Sequence, residues 1–282
     1  MAAASPGGCR RSGTAERCRL PAVLLAASNP LLQLSGYSAR MTGDPDQLAD
    51  GIWRWTARHP EWHPGDFGSE VASFALAGAG GGVRGDRGGD RGGDRGGDTI
   101  LIDPLLPPDP EPVLSLLDRI LGERLAILIT IPYHVRSSEE LRRRFGASVE
   151  TTIWGHPACR KRLDDDAGFR AFAPGDELPG GVSAHRIGKP RRYETPLHVP
   201  SHRALVFGDA VAVTGGGLRV WSERRVDADV IRFYRERFNP TLEPLLELDF
   251  DRVLVTHGEP VMRGGREALA QALRDEPWYH RE

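Results

Sequence analysis

Cysteine is scarce. Three in 282 residues, at Cys9, Cys18 and Cys159, are too few and too scattered to staple a fold with disulfides or to build a cysteine-rich zinc site. A reducing, cytoplasmic setting is the resulting expectation. Charge of one sign is also lacking: 37 Lys plus Arg stand against 39 Asp plus Glu, a formal net charge of −2. Bulk electrostatics therefore give no case for nucleic acid or a membrane surface as partner. No apolar run reaches the ~20 residues of a spanning helix. Leu20 to Ala27 follows a basic stretch as a signal core would, but it is short and no small-x-small site precedes Asn29-Pro30. No Gly-x-Ser-x-Gly elbow supports a serine hydrolase, and Cys159 lacks the histidine-plus-helix setting that makes a thiol nucleophilic.

What is present suits a globular protein, with 39% hydrophobic and 27% charged residues. Residues 1–40, rich in Ala, Gly, Ser and Arg without amphipathic period, are expected to be a disordered extension, with the compact domain spanning 41–282. Within it, the Arg-Gly-Gly-Asp repeats of residues 78–98 resemble a phosphate loop only superficially. No Gly-Lys-Ser/Thr ends the run, so it reads as a flexible hairpin insertion.

Strand patterns flank that insertion: Gly51–Ala57 alternates, Glu70–Leu76 follows, and Thr99–Asp103 is its expected hairpin partner. His59, Trp62 and His63 fall in a loop, either packing or lining a pocket. An apolar stripe through Leu114, Leu117 and Leu121 predicts a helix. Leu125 to Ile131 is a continuous apolar run, as a strand covered on both faces requires. Ser137 to Glu140 fits a capping box for the next helix. Strands then recur through 146–154, 182–187, 195–199 and 204–207. A helix near 230–238 is expected to stop at Asn239-Pro240 before a second one through Leu242, the strand 252–256 and a terminal helix at 266–274. His198 and His202 flank Pro200 and read as surface turn residues. This order predicts an α/β fold, a four-layer αββα sandwich of two mixed sheets flanked by helices.

Four strand ends, Ile102-Asp103-Pro104, Ile127-Leu-Ile-Thr130, Phe207-Gly-Asp209 and Val255-Thr-His-Gly258, come in an order and spacing that resembles the metallo-β-lactamase superfamily over residues 41–282. The resemblance implies a water-activating two-metal site, usually of zinc. Its first motif, Thr-His-x-His-x-Asp-His, departs here. Aligned on Thr130, the ligand positions fall on Ile131, Tyr133, Val135 and Arg136, and one inserted residue is needed to bring His134 into register. Lys189, after Gly188, takes the place of a further histidine, while Asp209 and His257 match directly.

Two functions follow from that resemblance. In one, His134, Asp209 and His257 hold a single zinc ion, and the protein hydrolyses an ester, thioester, amide or phosphoester. In the other no metal binds; Arg136 and Lys189 stand in for it beside Asp209, and the cleft takes an anionic small molecule or a protein partner. Tyr133 and Glu194 complete the expected cleft, the latter as a candidate acid or base.

Overall fold

The computed structural model describes residues 43–78, 97–165 and 167–281. The expected extension over 1–40, and residues 79–96 of the expected insertion, lie outside them.

Seven strands form the first sheet in chain order: β1 (Asp46–Ala49), β2 (Ile52–Arg58), β3 (Glu70–Ala77), β4 (Asp98–Ile102), β5 (Arg124–Ile129), β6 (Glu150–Gly155) and β7 (Phe169–Ala171). Pairing is antiparallel from β1 to β4, which includes the expected β3–β4 pair, and parallel from β4 to β7. The second sheet uses β8 (Glu177–Leu178), β9 (Val182–Ala184), β10 (Leu197–Val199) and β11 (Ala204–Phe207) as an antiparallel meander. A two-stranded ribbon, β12 (Val211–Thr214) with β13 (Gly217–Val220), follows. The last strand, β14 (Arg252–Val255), returns to pair parallel with β11.

Three apolar clusters define the layers. On β5, Leu125, Ile127 and Ile129 point to helices α1 (Glu111–Ile120) and α2 (Ser138–Phe145), packing on Val113, Leu117 and Leu141. The alternate residues Ala126 and Leu128 face the second sheet, meeting Leu197, Val206 and Leu254. The run is continuous because both of its faces are covered. Each buried Leu or Ile of this run contributes about 1.5–3 kcal/mol by leaving water. Beyond the second sheet, Leu205, Phe207, Val253 and Val255 pack on Val230, Phe238 and Leu269. These belong to a helical stretch beginning with α3 (Ala228–Phe233) and to a terminal helix. The order helix, sheet, sheet, helix is the expected sandwich.

Three local expectations are corrected. Helical backbone does not stop at Asn239-Pro240: a π turn, Tyr234–Phe238, leads into α4 (Asn239–Leu242) and a 3₁₀ turn to Glu247, followed after β14 by α5 (Gly265–Arg274). The widened turn, with Asn239 N–H donating to Tyr234 O, admits the proline without breaking the stretch. Ser137 does occupy the N-cap of α2, but its side chain makes no cap bond; Oγ accepts from Leu106 N–H at 3.0 Å and ties the loop after β4 to the helix start. His198 and His202 are buried rather than surface turn residues: His198 lies on β10, inside the sheet between β9 and β11, with Nε2 3.0 Å from Asp249 O, and His202, which ends the turn Pro200–His202, packs its ring against Gly51.

Candidate active-site cleft

Asp103 follows β4 with a left-handed φ of 48°, and its carboxylate organises the end of β5. Oδ1 accepts from Thr130 N–H at 2.8 Å, while Oδ2 accepts from the Thr130 hydroxyl and lies 2.9 Å from His134 Nδ1. A carboxylate that accepts from all sides assigns the proton to His134 Nδ1. The ring's Nε2 is thereby aimed at Asp209 Oδ1, 3.7 Å away.

Asp209 lies on the turn between β11 and β12, and Glu194 shapes that turn from below. Glu194 is 1% exposed, and its carboxylate accepts from the N–H groups of Gly208, Asp209 and Ala210, each at 3.0 Å. Burial pushes the Glu194 carboxyl up to about 8, opposed by the Arg191 charge and these amide donors. A side chain at Gly208 has no room, since its Cβ would lie 2.7 Å from Thr130 Oγ1.

The two oxygens of Asp209 have different company. Oδ2 accepts from the Tyr133 hydroxyl at 2.5 Å and lies 3.8 Å from Arg191 Nη1. Oδ1 makes no hydrogen bond and is faced by His134 Nε2 and, at 3.6 Å, His257 Nε2. Burial alone would raise the Asp209 carboxyl; His134, His257, Arg191 and the Tyr133 hydroxyl outweigh it and hold the group well below the usual range. Burial also depresses His257, to about 4. His257 is then neutral at pH 7 and cannot lend Asp209 a full charge, so Arg191 is the permanent cation in contact. Burial likewise raises Tyr133, with the Asp209 charge adding to it, so its hydroxyl stays a donor.

Around this centre lies a cleft of about 340 Å³ whose walls include His59, Trp62, Phe67, Arg136 and Trp221. Phe67 meets Trp221 at 5.6 Å and Trp278 at 4.6 Å between ring centroids, which ties the β2–β3 loop to the tail after α5. The tail is held further by Ser222 N–H donating to Trp278 O at 2.7 Å and by His280 Nε2 at 2.8 Å from Gly65 O. Several buried donors on this wall have no acceptor: Nε of Arg191, Nε and Nη2 of Arg136, and Nε1 of Trp62 and of Trp221.

Of the expected residues, Tyr133, His134, Arg136, Asp209 and His257 converge here. Arg136 donates to backbone, Nη1 reaching Asp103 O at 2.9 Å, rather than forming an ion pair with Asp209. Lys189 is exposed and off the cleft wall, and Glu194 lies beneath the site. His59 and Trp62 line the cleft, one of the two outcomes expected of their loop, whereas sequence reasoning passed over Arg191, Glu223, Phe67 and Trp221. The Arg191-Arg192 pair after Pro190 is the signal that carried Arg191. A metal fits this arrangement poorly: among the described residues no group of three or more His, Cys, Asp or Glu side chains is placed to hold an ion, and Tyr133 and Arg191 already occupy one oxygen of Asp209.

These observations define a two-sheet αββα sandwich with a cleft at the strand ends. It is the metallo-β-lactamase fold. A β-lactamase domain protein from Burkholderia ambifaria matches at 17% identity and TM-score 0.53, over 84% of this chain and 76% of that one. A metallo-β-lactamase from Pontibacter korlensis matches at 12% identity and TM-score 0.52, over 83% and 99%. A structure described as a peroxy diiron species of the chemotaxis sensor ODP matches at 12% identity and TM-score 0.51, over 83% and 96%. No family model matches the sequence, and no curated protein is similar to it.

Proposed function

We propose that this protein is a hydrolase-like member of the fold whose cleft binds a small anionic molecule through protein cations instead of metal ions. One observation carries the reading. Arg191 is 7% exposed, stands 3.8 Å from Asp209, lines the cleft, and keeps an Nε with no acceptor. A buried guanidinium with an unused N–H is stabilised by an acceptor that reaches it, and Arg136, Trp62 and Trp221 add further unused donors around the same space. In the bound state Arg191 orients the anion, while Tyr133, its one hydroxyl proton given to Asp209, fixes the carboxylate that keeps Arg191 in place.

The single-ion hydrolase has one observation on its side: Asp209 Oδ1, without a hydrogen bond, faces ring nitrogens of His134 and His257. Metal analysis after zinc reconstitution separates the two readings. Less than 0.1 zinc per chain, together with saturable binding of inorganic phosphate that Arg191→Met removes, supports the metal-free cleft. Near-stoichiometric zinc abolished by His257→Ala overturns it.

A further inference from the structure

A second cavity of about 550 Å³ adjoins the cleft and shares Tyr133, Arg191 and Glu223 with it. Its wall is built differently. Three cations, Lys161, Arg162 and Arg191, stand against one carboxylate, Glu223, and that carboxylate is already 3.5 Å from Arg191. Lys161 and Arg162 are exposed on the 3₁₀ turn Pro157–Arg162, and neither pairs with a carboxylate among the described residues. Arg162 instead lies over the Tyr133 ring, 5.9 Å from its centroid.

The aromatic content is equally uneven. Among the described residues, the large hydrophobic side chains left exposed are Tyr133 at 38% and Tyr193 at 45%, and both line this one cavity, with Ile131, Pro132 and Pro190 behind them. Tyr193 is backed by His156 at 5.1 Å between ring centroids. Exposed rings beside Lys161 and Arg162, which pair with no carboxylate among the described residues, form a surface that takes a flat apolar body with an oxyanion attached: the rings stack on the body and the cations meet the charge.

We infer that this outer cavity recognises aromatic oxyanions, an aryl phosphate or aryl carboxylate, with Lys161 and Arg162 meeting the anion and Tyr133 and Tyr193 holding the ring. The inference rests on the anion-binding reading of the cleft and extends it, because Arg191 stands at the junction of both cavities. Lys161, Arg162 and Tyr193 are residues for which neither the strand-end motifs nor the Asp209 cluster has a use.

Calorimetric titration of the whole chain with phenyl phosphate, benzoate, inorganic phosphate and benzyl alcohol tests it. Phenyl phosphate or benzoate should bind at least tenfold tighter than inorganic phosphate, and benzyl alcohol should not bind measurably. Whichever aryl anion binds tighter identifies phosphate or carboxylate as the preferred group. Lys161→Ala/Arg162→Ala should weaken the aryl anion at least tenfold and flatten its salt dependence, and Tyr193→Ala should bring it to the level of inorganic phosphate. All three positions are exposed, so unchanged circular dichroism is expected of the variants. The outer-cavity assignment is overturned if aryl and inorganic anions bind alike, or if the double variant stays within twofold of wild type. In that event, binding still lost in Arg191→Met leaves the cleft reading intact. If no anion binds the wild-type chain, both readings fall together.

Discussion

Replacing Arg191 by methionine keeps an unbranched apolar stem and removes the cation that faces Asp209. Both side chains are 6% exposed and the closest approach is 3.8 Å. At an effective dielectric of ~20 the attraction over that distance is about 4 kcal/mol. Stranding one member of a buried pair typically costs about 3–5 kcal/mol. Asp209→Asn should cost less, because Arg191 keeps Glu223 at 3.5 Å and the amide oxygen can still accept from Tyr133. That second pair is worth little by itself, since Glu223 is half exposed and screened. Arg191→Met/Asp209→Asn should therefore lose about 2 kcal/mol less than the sum of the single losses. Urea denaturation of the four proteins at pH 7 gives each term, provided the m-value is constant. A coupling below about 0.5 kcal/mol, the ordinary scatter of additivity, would refute Arg191 as the partner of Asp209.

Further outcomes can be checked independently. His257 has its folded pKa lowered from 6.5 to about 4, so the unfolded chain takes up the proton first. Its contribution is present above pH 6.5 and is lost as pH falls toward 4, amounting to about 2 kcal/mol by pH 5; denaturation at pH 7 and pH 5 should show that much less acid sensitivity in His257→Gln than in wild type. Glu194→Ala removes the acceptor of three buried amides and should cost at least about 3 kcal/mol, read as a lower urea midpoint. Leu128→Ala opens a cavity between the sheets, where Leu128 is fully buried, at about 2–5 kcal/mol, whereas Lys189→Ala, at an exposed position off the cleft, should stay within about 0.5 kcal/mol of wild type in the same assay.

The sandwich was legible because its signals are local. Leu125 to Ile129 is apolar at every position, which fits a strand covered on two faces, and the meander from Val182 to Phe207 is punctuated by turn residues. Asp209 and His257 were legible for the same reason, since each directly follows an aliphatic strand. Arg191 was not, because its partnership with Asp209 spans 18 positions and is set by the path of an irregular loop, to which hydrophobic period is blind. The same blindness explains the misplaced weight on Lys189, two positions away. Ser137 illustrates a subtler limit: its place at a helix start could be read from spacing, but its hydroxyl's choice of Leu106 over its own helix is a tertiary matter.

The carboxyl group of Glu194, accepting from three successive N–H groups, occupies the kind of backbone pocket that in other settings captures a free anion. Here the chain fills that pocket with its own side chain, so the turn bearing Asp209 has its shape before any ligand arrives. Binding need not order that turn, and the entropy otherwise spent on doing so is already met in folding. Residues 59–68 and the tail from Trp278, by contrast, are held to each other by ring contacts of Phe67 with Trp278 and His280.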